Sequence, residues 1–117
     1  MSTQATAPLT DRESAVVSRV RRQLLIGGTW VDAADGATFD VRDPSTGEVL
    51  CAVADAGPAD GRRALDAAVR AQASFARTNP RARADILTRA FELLHERIDD
   101  LALLMTLEMG KPVPEAK

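Results

Sequence analysis

The stretch that decides the fold is NPRARADILTRAFELLHERIDDLALLMTLEMGK, residues 79–111. Its apolar residues Ile86, Leu87, Ala90, Phe91, Leu94, Ile98, Leu101, Leu104, Met105 and Leu107 recur at three and four, the spacing of a helix face turned towards a core. Asn79 is a good N-cap, and Pro80 stands where its missing N–H costs nothing. Gly110 suits the left-handed residue that ends a helix, and Pro112 prevents resumption. Asp99-Asp100 interrupts the pattern, because Asp competes for backbone partners and favours a helix start over an interior. The stretch therefore predicts two helices, 80–97 and 99–110.

Upstream, Gly57-Pro58 opens another helix over 58–77, with Ala64, Leu65, Ala68, Val69, Gln72 and Phe75 on one face. Thr78-Asn79-Pro80 separates it from the next. Before Gly57 the pattern turns to strands. Leu24-Leu25-Ile26 closes on Gly27-Gly28, and Thr29-Trp30-Val31 resumes. Asp35-Gly36 is a turn signal. Phe39 to Asp43 alternates as a half-exposed strand does, Asp43-Pro44-Ser45-Thr46-Gly47 is a dense turn cluster, and Val49 to Val53 is a further strand. These predict one antiparallel meander over 24–53 laid against helices. Residues 1–8 have the composition of an unanchored terminus. Thr10-Asp11-Arg12-Glu13 has capping-box spacing, so a short helix through about Val20 is one reading of the 1–22 tail; Val16, Val17 and Val20 give it little to bury, and a partly disordered or loosely docked tail is the other. At the other end, Val113-Pro114-Glu115-Ala116-Lys117 reads as the start of a fourth helix and leads to the expectation of a truncated chain.

The whole chain has 117 residues, 45% hydrophobic and 27% charged, with net charge −2, which fits one soluble globular unit. Aromatics are only 3%, so the core must be built from closely spaced aliphatic residues. Charges of both signs are interspersed, with no basic stripe carrying aromatics, so nucleic acid is excluded as an expected partner. There is no run long enough to span a membrane. The apolar run after Arg21-Arg22 is too short for an export signal, and a cytoplasmic protein is expected. A single cysteine excludes an internal disulfide.

Groups able to do chemistry are few. Cys51 sits mid-strand with no basic neighbour in sequence and reads as a small packed residue, since a nucleophilic thiol needs a helix N-terminus or a cation beside it. His95, the only histidine, falls in the last turn of a helix, where a cation is favourable. Gly27-Gly28 lacks both phosphate-loop patterns and has no helix after it. Arg81, Arg83, Arg89 and Arg97 alternate with Asp85, Glu92 and Glu96 as a solvated face does. Glu108 has no acid, histidine or cysteine near it in sequence. Gly110 reads as a helix stop and Lys111 as a cation at the last carbonyls.

Five stretches occurring in order carry a resemblance. They are Leu25-Ile26-Gly27-Gly28-Thr29-Trp30-Val31, Asp43-Pro44-Ser45-Thr46-Gly47-Glu48-Val49, Ala64-Leu65-Asp66-Ala67-Ala68, Arg83-Ala84-Asp85-Ile86-Leu87 and Thr106-Leu107-Glu108-Met109-Gly110-Lys111-Pro112. Together they resemble the N-terminal region of NAD(P)-dependent aldehyde dehydrogenases, over residues 23–117. Met105 to Pro112 and Leu50 to Ala56 look most like the succinate-semialdehyde dehydrogenases of that superfamily.

The resemblance implies an α/β parent enzyme, with 23–117 as the N-terminal part of its cofactor-binding domain: a short antiparallel β-meander, three helices and the start of a fourth. It implies oxidation of a small aldehyde, succinate semialdehyde to succinate, with NAD or NADP, by a homo-oligomer (dimer or tetramer). In the family a cysteine in a G-Q-x-C context attacks the aldehyde and a glutamate in E-L-G-G-K activates water, both well downstream. Cys51 in V-L-C-A-V does not match the first. Glu108 in L-E-M-G-K misses the second by a glycine and by region. No catalytic, cofactor-binding or metal residue is therefore assigned, and this stretch alone is expected to be inactive, to bind no cofactor, to expose apolar surface and to self-associate. Two other readings stay open: a dehydrogenase for another small aldehyde, and a non-catalytic helical interaction module using the apolar faces of 58–77 and 80–110.

Overall fold

The computed structural model describes residues 8–117. Along them run α1 (Asp11–Ser18), β1 (Leu24–Ile26), β2 (Thr29–Val31), β3 (Thr38–Arg42), β4 (Val49–Ala54), α2 (Pro58–Phe75), α3 (Pro80–Glu96), α4 (Ile98–Met109) and α5 (Val113–Ala116). The chain divides into two units. One gathers the described residues up to Arg21 with Asp40–Ala52 and Arg97–Lys117, and the other holds Arg22–Phe39 and Val53–Glu96.

In the first unit α1 packs on α4, and α5 on α4. The Thr10 hydroxyl accepts the Glu13 N–H at 3.3 Å while the Glu13 carboxylate accepts the Thr10 N–H at 2.7 Å, the reciprocal pair that satisfies two orphan donors. Val16 and Val17 are buried, as are Ala102 and Leu107 of α4. Arg19 pairs with Asp100 at 2.7 Å. Of the two readings of the tail, residues 11–18 take the helical one, docked on α4. Its two valines are too few for an isolated helix, but packing on α4 supplies the burial that local sequence lacks. Residues 1–7 of the expected tail lie outside the described residues.

The helix stop also behaves as its sequence requires. Gly110 has φ 78°, and its N–H reaches the Thr106 carbonyl at 2.9 Å. A Cβ there would come within 3.3 Å of the Pro44 ring, so both backbone conformation and space select glycine. In the 43–47 turn the Asp43 carboxylate, only 6% exposed, accepts the Ser45 N–H at 2.7 Å. The Asp43 carbonyl accepts the Gly47 N–H at 2.7 Å, which closes a five-residue loop.

In the second unit β1 and β2 form an antiparallel hairpin, with Leu24 opposite Val31 and Ile26 opposite Thr29. Gly27 and Gly28 are its two-residue turn, at φ 60° and 79°, the pair of positive values that a type I′ turn demands. The organising contact is a carboxylate. Asp60, 2% exposed, accepts the Ala34 N–H on both oxygens at 3.2 Å, the Gly57 N–H at 3.1 Å and the Arg63 guanidinium at 3.1 Å. Among its described apolar residues only Ala33 is buried; α2 buries none and α3 has no buried residue.

The single meander expected over 24–53 is instead two two-stranded sheets, β1–β2 and β3–β4. The connection 32–37 explains the split. Its Ala34 N–H is taken by the Asp60 side chain and its Gly36 N–H by the Ala33 carbonyl, so these donors do not extend a ladder. Helices α2, α3 and α4 fall within two residues of the ranges read from sequence, and α4 begins at Ile98, beside the predicted Asp99-Asp100 break.

Candidate functional site

Each group singled out from sequence is placed by its own element. Cys51 is half-buried in the middle of β4, between half-buried Leu50 and Ala52. Glu108 is exposed in the last turn of α4. His95 is exposed at the end of α3. Its Nδ1–H donates to the Phe91 carbonyl at 3.0 Å, and its ring lies 4.0 Å from that of Phe91. This holds the imidazole on its own helix. Among the described residues there is no group of three or more His, Cys, Asp or Glu side chains arranged to hold a metal.

Gly27-Gly28 would be the candidate for a phosphate cradle. It is a tight turn between antiparallel strands, so its N–H groups do not lie at a helix N-terminus, where a dinucleotide's pyrophosphate is usually held. That turn does not fit the pyrophosphate of such a cofactor. The arginines of α3 form local pairs: Arg81 with Asp85 at 3.2 Å, and Arg89 with Glu92 at 3.1 Å and Glu96 at 3.5 Å. All these side chains are well exposed, as on a solvated face.

The first unit holds an open groove of about 660 Å³ lined by Leu9, Leu50 and Leu107 and by Glu13, Asp43 and Glu48 among others. Glu13 is engaged in the α1 cap and Asp43 in its own turn, so both carboxylates already serve the backbone. The most heavily bonded side chain is one that sequence reasoning passed over, Asp60. Its signal was available: an acid at the third position of a helix opened by Pro58, the position whose carboxylate turns back to the cap N–H.

Residues 30–117 match the aldehyde dehydrogenase family, and the chain belongs to it. Among its relatives is a glutarate-semialdehyde dehydrogenase of Pseudomonas aeruginosa, 45% identical over 97 residues, covering 83% of this chain and 20% of that protein. A succinate-semialdehyde dehydrogenase [NADP(+)] of Escherichia coli is 46% identical over the same shares. The solved betaine aldehyde dehydrogenase of Staphylococcus aureus in complex with NAD+ superposes with a TM-score of 0.86 at 27% identity, over 89% of this chain and 21% of that one. The chain thus spans about one fifth of the length of the relatives it matches.

Proposed function

We propose that this chain is framework for an oxidoreductase that converts a semialdehyde, succinate semialdehyde in the first instance, to the acid with NAD+ or NADP+. Residues 23–117 act as the N-terminal part of its cofactor-binding domain, without contributing a catalytic, cofactor-binding or metal-ligating residue. The enzyme works in the cytoplasm as a homo-oligomer. The observation that carries the reading is the family match over residues 30–117, joined to the semialdehyde names of relatives at 45–46% identity. Those names divide between two chain lengths of substrate, and the cofactors named for relatives are NADP(+) in one case and NAD+ in another. In the described residues no helix is long and apolar enough to cross a membrane, in keeping with an aqueous enzyme.

The test is a graft. Residues 30–117 are placed in the E. coli succinate-semialdehyde dehydrogenase in exchange for the matching segment. The chimera is expected to keep turnover within about tenfold, and Cys51→Ala within it to change turnover by less than about threefold, far from the roughly hundredfold or greater loss that marks a chemical group. Aldehyde oxidation by the 117-residue chain alone would overturn the reading. A second reading, a helical interaction module, is favoured by the exposed apolar side chains of α2 and α3. It predicts an inert chimera.

A further inference from the structure

We draw no further inference here: the strongest candidate, the exposed apolar stripe of Leu87, Phe91 and Leu94 along α3, belongs to a chain spanning about one fifth of the length of its relatives, and nothing in the structure shows what covers it.

Discussion

Helices α3 and α4 follow one another with a single residue between them, yet they live in opposite surroundings. Helix α4 is apolar nearly all round. Ala102 is fully buried and Leu107 nearly so, with α1 and α5 packed against it. Helix α3 has a clean apolar stripe and polar remainder, the more recognisable amphipathic pattern, and buries nothing. The difference teaches that periodicity reports which face a helix can bury, while the presence of a neighbour decides whether it does.

The sharpest way to break that comparison is a matched pair of truncations. Leu107→Ala should cost about 2–4 kcal/mol, from lost transfer energy and the cavity left behind. Leu87→Ala should stay within about 0.5 kcal/mol, since its side chain already faces water. Urea midpoints at equal slope read both; similar costs would show that α3 is packed in solution. Next in size, Asp60→Ala should cost about 1–3 kcal/mol, because it strands the Ala34 and Gly57 N–H donors in a buried place. Faster amide exchange at those two residues in Asp60→Ala is the accompanying readout.

Thr10→Ala should cost about 1 kcal/mol by removing the α1 cap, with the loss confined to α1 and the α4 face beneath it. The smallest effect is a pH dependence. The hydrogen bond from Lys117 to Asp99, with the Lys117 charge behind it, holds the Asp99 carboxyl below the usual carboxylate range. A carboxylate with a depressed folded-state pKa contributes stability that is fully present above its ordinary value of about 3.9 and is lost as pH falls through the folded value. Both partners are exposed, so the difference between wild type and Asp99→Asn in acid titration should be slight and should fade with added salt.

Sequence made the local features legible. Pro80, Asp99-Asp100 and Gly110 each carry a backbone reason for starting, interrupting or stopping a helix, and the structure uses each within a residue or two. Gly27-Gly28 was legible as a turn on the same grounds. What escaped depended on distant partners. The docking of α1 needs α4, about ninety positions away in the chain. The division of the strands into two sheets needs the Asp60 carboxylate, 26 positions from the Ala34 N–H it accepts. For the candidate site, Cys51, His95 and Glu108 were each read from sequence as playing no chemical part, and sequence placed each on its element: Cys51 inside β4, His95 at the end of α3 and Glu108 in the last turn of α4. Three of the five pieces that carry the resemblance to aldehyde dehydrogenases, 25–31, 43–49 and 106–112, hold a turn or a helix stop, where backbone geometry restricts residue choice.

Asp60 carries one further consequence. A carboxylate fixed at one angular position on a helix, and clamped to the backbone at residues 34 and 57, sets the azimuth of α2 about its own axis. The direction in which Leu65 and Val69 point is then dictated by polar anchoring at one end of an 18-residue rod. Adding one residue between Asp60 and Leu65 would swing that direction by about 100° while leaving the anchor in place.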